Sequence, residues 1–142
     1  MIILDTNVLS ELMRPEADAS PVVLDWFAFL DPMDAFITSI TMAEILSGIE
    51  FMPQGRRRSE KQAAALAVLA LFSGRVLPFD EAAASHYAII IAGRRRIGRS
   101  TSAPDTQIAA IARARGFAVA TRDDSGFDNA GIEIINPWEP PA

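Results

Sequence analysis

The chain has 142 residues, half of them apolar and 22% charged, with a net charge of −5 and no cysteine. That is the size of one domain, ~100–200 residues, able to bury a substantial core. Disulfides and thiolate metal sites are excluded, and the acidic balance argues against a protein that coats nucleic acid by bulk charge. The absence of thiols, of a signal-peptide pattern and of any apolar run long enough to span a bilayer fits a cytoplasmic protein. The positive charge is uneven: Lys61 is the single lysine against twelve arginines, with clusters at Arg56–Arg58 and at Arg94, Arg95, Arg96 and Arg99.

Met1-Ile2-Ile3-Leu4 is an unbroken apolar run that stops at Asp5, the pattern of a strand buried on both faces of a parallel sheet. An acid at the carboxyl end of such a strand stands where α/β sheets form their ligand crevice. A plainer role is open to it, since Asp5 or Thr6 can cap the helix that starts at once and runs to Met13. After a Pro-containing loop, Ser20-Pro21 opens a helix over 22–30, and Asp31-Pro32-Met33-Asp34 is a turn. Ala35–Thr38 is a short strand, and a helix is expected from Thr41 to about Met52, with Thr41-Met42-Ala43-Glu44 matching a capping box. Against that capping role, Glu44 shares a helical face with Gly48 and Phe51, which predicts a border of apolar packing.

Pro53-Gln54-Gly55 breaks that helix, leaving Arg56–Arg58 as a solvated loop, and Ser59 is expected to cap an Ala/Leu helix to Phe72. Core packing explains that apolar helix first, a dimer or partner surface second. Arg75–Phe79 reads as a strand. Asp80 caps a helix ending in the Arg94–Arg96 cluster, where cations suit the helix dipole and could also meet phosphates. His86, the one histidine, reads as a packing or surface residue of that helix, which argues against a His-pair nuclease.

Ser102–Arg115 is a helix closed by Gly116. Its first turn carries Asp105, whose spacing to Ile108, Ala109 and Ala112 continues the core-facing stripe, so this carboxylate points inward and needs partners. Phe117–Thr121 is a strand followed by a polar loop with Asp123, Asp124 and Asp128, and spacing does not decide which of the three faces the crevice. Ile132–Ile135 is the last strand, and 139–142 is expected to fray. Strands alternating with helices predict a single α/β domain with a central parallel sheet.

Convergence of these acids would be costly, since two carboxylates ~4 Å apart repel by about 4 kcal/mol at an effective dielectric near 20. Either they are protonated or a cation holds them together. An all-oxygen donor set favours Mg²⁺ or Mn²⁺, ions that polarise phosphates and activate water, so metal-dependent phosphodiester hydrolysis is the expectation.

Four segments carry a resemblance. Ile3-Leu4-Asp5-Thr6-Asn7-Val8, Ile40-Thr41-Met42-Ala43-Glu44-Ile45 with Gly48, Asp105-Thr106-Gln107-Ile108-Ala109-Ala110 and Ala120-Thr121-Arg122-Asp123 occur in the order and spacing of PIN-domain ribonucleases. With the ending Ile135-Asn136-Pro137-Trp138, the chain resembles the VapC/FitB-like toxins of bacterial toxin–antitoxin pairs. The resemblance implies a three-layer α/β/α fold and an acidic site of Asp5, Glu44, Asp105 and Asp123 that binds Mg²⁺ or Mn²⁺, with Thr6 or Thr121 assisting. It also implies RNA cleavage, a homodimer or a larger toxin–antitoxin complex, and inhibition by a small DNA-binding antitoxin. Many relatives place an Asp directly before the Phe of the last loop, where this chain has Gly126 before Phe127; that shifts weight to Asp123 as the fourth acid. Two other functions compete. One is a non-catalytic module whose acidic pocket captures a partner's arginines. The other is an aspartyl phosphotransfer domain, which usually adds a Lys after a late strand, whereas Lys61 lies in a helix.

Overall fold

The computed structural model describes residues 1–140. Five short strands form one sheet in the order β3-β2-β1-β4-β5, every neighbouring pair parallel. They are β1 (Ile2–Leu4), β2 (Ala35–Thr38), β3 (Val76–Leu77), β4 (Ala118–Ala120) and β5 (Ile134–Ile135). Six helices connect them: α1 (Thr6–Leu12), α2 (Pro21–Phe29), α3 (Ser39–Glu50), α4 (Arg56–Ala70), α5 (Glu81–Arg96) and α6 (Ala103–Arg115). Single 3-10 turns lie at Pro32–Asp34 and Asp124–Gly126.

The alternation of side chains along β1 divides the core. Ile2 and Leu4 face one layer, with Val8, Leu9, Ile45, Ile49, Leu69 and Phe72 from α1, α3, α4 and the turn after α4. Ile3 faces the other, with Ile90, Ile108, Ile111, Val119 and Phe127, chiefly from α5, α6 and β4. Period-two alternation therefore gives both sheet faces a helical cover, the α/β/α arrangement expected. Among the described residues no helix is long and apolar enough to cross a membrane.

The edge strands are shorter than expected. β3 pairs only Val76 and Leu77 with β2, because Pro78 has no N–H to extend the ladder. β5 likewise keeps only Ile134 and Ile135. Two helix starts also move. α3 begins at Ser39, capped by Thr38, whose hydroxyl accepts from the Thr41 backbone N at 3.1 Å. Thr41 is thus inside the helix and the capping box around Glu44 does not form. α4 begins at Arg56, so Arg56–Arg58 is helical rather than a loop, supported by ion pairs of Arg56 with Glu60 and Arg58 with Glu50. Its core side is narrow: Ala65 and Leu69 are buried, whereas Leu66 and Leu71 remain exposed. Glu139 is tied into a turn by its backbone N donating to Asn136 O at 3.0 Å and Pro140 is exposed, while 141–142 of the expected fray lie outside the described residues.

Candidate active site

The strand order places β2 on one side of β1 and β4 on the other, so the crevice opens between the carboxyl ends of β1 and β4. Asp5 ends β1 there. Its backbone N continues the ladder to Ala120 O at 2.9 Å, and its side chain caps α1 by accepting from Thr6 N at 2.8 Å. The other carboxylate oxygen accepts from Thr121 Oγ1 at 2.8 Å and Asn7 Nδ2 at 3.2 Å. Capping and a place in the crevice are therefore one arrangement for Asp5, not alternatives. Thr121, fully buried after β4, also accepts from the Asp123 backbone N at 3.1 Å and fixes the turn that carries Asp123.

Glu44 reaches the site from α3. Thr6 Oγ1 donates to its Oε1 at 2.7 Å and lies 3.1 Å from the Thr41 hydroxyl. The expected apolar border is absent: Glu44 is exposed and Phe51 is 85% exposed, because α3 buries the stripe of Thr41, Ile45 and Ile49 instead. Asp105, half-buried in the first turn of α6, arrives from the opposite layer. Its neighbour is defined by a missing atom. A Cβ on Gly126 would stand 2.7 Å from Asp105 Oδ2 and 3.3 Å from Asp123 Oδ2, so both carboxylates crowd this glycine. Of the three loop acids, Asp123 is the one beside Asp105, and Ser125 Oγ donates to it at 2.7 Å.

The charges feel one another. Burial, and then the carboxylates of Asp5, Asp123 and Glu44, push the Asp105 carboxyl up to about 6, with Arg94 opposing. Burial also raises Asp5, with Glu44 and Asp123 adding to it against the hydrogen bonds from Thr121 and Thr6. No group of three or more Asp, Glu or His side chains among the described residues is closed into a ready-made ion cage. The fit to a hard divalent cation lies in the donor chemistry and in the mutual repulsion that such an ion would relieve.

Arg94 does not stand where a phosphate contact would need it. It is 3% exposed, and its guanidinium donates to the backbone carbonyls of Asp128, Ser100 (2.9 Å) and Ser125 (2.9 Å) and to Asp128 Oδ1 (2.9 Å). It clamps the α5–α6 loop and the Asp124–Gly126 turn, the two segments that flank Asp105 and Asp123. Asp128 is engaged there too, pairing also with Arg99 at 3.1 Å. Arg95 and Arg96 are exposed. His86, half-buried on α5, leaves Nδ1 without a hydrogen-bond partner among the described residues and makes no hydrogen bond to the acids.

Sequence reasoning missed Asn7 and Gly126 as parts of this site, and it read Arg94 as a phosphate contact rather than as a buried clamp. Asn7 had a signal in its place two residues after Asp5; the other two depend on contacts between distant segments.

The PIN domain family model matches residues 2–133. The chain belongs to the PIN-domain family. Among curated relatives, this PIN domain is 45% identical to the VapC ribonuclease Y4jK of Sinorhizobium fredii, over 99% of both chains. It is 37% identical to the toxin FitB of Neisseria gonorrhoeae, over 97% of this chain and 99% of that protein. Among solved structures it superposes on FitAB bound to an IR36 DNA fragment with a TM-score of 0.90 at 36% identity, covering 100% of this chain and 99% of that one. DNA-bound VapBC from Salmonella typhimurium matches with a TM-score of 0.81 at 27% identity, over 96% and 97% of the two chains.

Proposed function

We propose that this PIN domain is a metal-dependent ribonuclease, an endonuclease that hydrolyses RNA phosphodiester bonds, and the toxin of a toxin–antitoxin pair. The observation that carries the reading is the convergence of Asp5, Glu44, Asp105 and Asp123 at the β1/β4 crevice, close enough to raise the Asp5 and Asp105 carboxyls. The names of its relatives support the substrate class and the toxin role. Asp5, Glu44 and Asp105 would hold Mg²⁺ or Mn²⁺, with Asp123 completing the set directly or through water. Such an ion, when bound, lowers the pKa of its water and stabilises charge growing on the phosphate.

The chain's own contribution is orientation. Thr6 N, Thr121 and Asn7 fix both oxygens of Asp5, so it cannot turn away. Thr6 Oγ1 fixes Glu44 across the crevice, and Gly126 leaves room for Asp105 beside Asp123. No histidine is required. A small DNA-binding antitoxin is the proposed partner, supported by the FitAB and VapBC complexes among the solved relatives. A cytoplasmic homodimer, or a larger complex with the antitoxin, is part of the same reading; the interface is supported by large apolar side chains left exposed on α4 (Leu66) and just past α4 and α3 (Leu71 and Phe51).

The surplus of unneutralised acids also favours a second reading, a pocket that captures an arginine of a partner. The test is cleavage of a mixed RNA pool by the purified protein with Mg²⁺ or Mn²⁺ and with EDTA, beside Asp5→Asn. Cutting that needs the ion and vanishes in the variant is expected. Equal cutting by Asp5→Asn would overturn the metal-site reading, and no cutting at all by folded, partner-free protein would favour the binding pocket.

A further inference from the structure

A cavity of about 910 Å³ opens beside the acidic site, between α1 with the loop that follows it and the first turns of α4. Asn7, Arg14, Arg57, Lys61, Arg122 and Trp138 are among the residues that line it. Its size is in the upper range of sites for small organic ligands. Its charge is unbalanced in a specific way. Of the lining acids, Glu11 is occupied by the Ser20 backbone N at 2.7 Å and by Arg14, and Glu60 by Arg56 at 2.8 Å, which leaves Asp18. Of the lining cations, Arg57, Lys61 and Arg122 have no carboxylate within ion-pair distance among the described residues. The Arg122 guanidinium lies over the Trp138 ring, 4.9 Å from its centre, forming a flat platform of cation and aromatic face.

Asn7 joins this cavity to the acids. Its Nδ2 donates to Asp5 Oδ2 at 3.2 Å and to Thr121 Oγ1 at 3.1 Å, while its Oδ1 accepts from the Arg122 backbone N at 3.2 Å. A chain lying across the acids would therefore enter the cavity after passing one side chain. Free cations for phosphates and a flat guanidinium, backed by an indole, on which a base can lie, in a groove leading to a hydrolytic centre, match single-stranded nucleic acid. An arginine-bearing peptide would instead meet three like charges.

We propose that this cavity holds the nucleotides of single-stranded RNA that flank the scissile phosphate, with phosphates on Arg57 and Lys61 and a base on the Arg122 guanidinium that Trp138 backs. The inference rests on the ribonuclease reading above and deepens it. The test uses two readouts. Fluorescence anisotropy of a labelled mixed-sequence oligoribonucleotide on Asp5→Asn protein in Mg²⁺ reads binding without cutting; cleavage kinetics on the otherwise native chain read KM. Arg57 and Lys61 are exposed, so R57A/K61A leaves the core intact, and thermal unfolding checks it. Arg115→Ala removes one charge at the far end of α6 as a control.

The expected result for R57A/K61A is a Kd about tenfold weaker, a salt dependence shallower by about 1.4 in the log–log slope, and a raised KM, with Arg115→Ala near its parent. Trp138→Phe, which keeps a ring, is expected to bind better than Trp138→Leu. RNA affinity and salt slope in R57A/K61A equal to those of Arg115→Ala would overturn the proposal, whether the cavity then serves a protein partner or nothing. Native protein that cuts RNA while R57A/K61A binds normally sinks the cavity alone. Native protein that binds RNA through these residues yet cuts none sinks the nuclease reading and upholds the cavity.

Discussion

Asp105 carries the cost of the site at the residue scale. Its folded carboxyl is pushed up to about 6, above its ordinary value, so the folded state holds this proton more tightly than the unfolded chain does. The resulting stability is fully present below the ordinary carboxylate value and is lost as pH climbs through about 6. Discounted for Asp105's partial exposure, it amounts to about 1 kcal/mol. Thermal unfolding of ion-free protein should therefore show this contribution on going from about pH 7 to about pH 5. Asp105→Asn should flatten the dependence and raise the midpoint at about pH 7; an unchanged pH profile would contradict the repulsion. Gly126 supplies the companion prediction. Its φ is not in the left-handed region, so Gly126→Ala meets no backbone strain, but it does meet the Asp105 carboxylate 2.7 Å away and Asp123 Oδ2 at 3.3 Å. The Asp105 oxygen can rotate. Stability should stay within about 0.5 kcal/mol while RNA cleavage falls about tenfold or more, as expected when a metal ligand is displaced by a fraction of an ångström. The acids Asp5 and Asp105 were legible because each interrupts a hydrophobic pattern of definite period. Gly126 was visible only as a departure from relatives, since the space it leaves concerns a side chain twenty-one positions earlier.

Among the elements, helix beginnings decide where side chains of the site point. Thr38 and Thr41 are both good caps by composition, and the structure uses the one that ends β2, because the chain can then turn directly from ladder to helix. Glu44 is thereby moved from the first turn to the middle of the site's rim, where Thr6 holds it. The same limit applies at α4: capping residues are preferences, and Gly55 with the Arg56–Glu60 pair overrides Ser59. α5 shows the converse. Its end was legible from Arg94–Arg96 and Gly98, but not that Arg94 turns inward. Removing that guanidinium leaves three carbonyls and one oxygen of Asp128 without their donor, a loss of about 3 kcal/mol. Arg94→Ala should thus lower the urea midpoint strongly, and Arg94→Lys should recover only part, since an ammonium cannot span the fork's separate acceptors. Arg95→Ala should stay within about 0.5 kcal/mol. Equal effects at 94 and 95 would refute the clamp.

For the whole molecule, strand order does what no local pattern can. The connections 1-2-3 run to one side of β1 and 4-5 to the other, and that reversal brings Asp5 beside Thr121 across 116 positions of sequence. Alternation of strands and helices made the parallel sheet legible, yet it left the order open. Convergence has a thermodynamic consequence for the entire fold. Carboxylates drawn from both helical layers, α1 and α3 on one side and α6 on the other, strain the native state alone, because the unfolded chain separates them. A divalent ion that binds only when they are together must then stabilise folding, by about 2.7 kcal/mol at an ion concentration of ~100 Kd. Mn²⁺ titrated into ion-free protein at about pH 7 should raise the unfolding midpoint saturably, and protons should compete with it as pH falls through the Asp105 value. Asp5→Asn and Asp105→Asn should both blunt the rise, and Asp105→Asn should also raise the ion-free midpoint, a pairing of opposite signs that a cation bound elsewhere on the acidic surface would not produce. A midpoint unmoved by Mn²⁺ in the native chain would mean that the acids meet for another cation, a partner's guanidinium, and the same scan with free arginine in place of the metal would then be the one to show the shift.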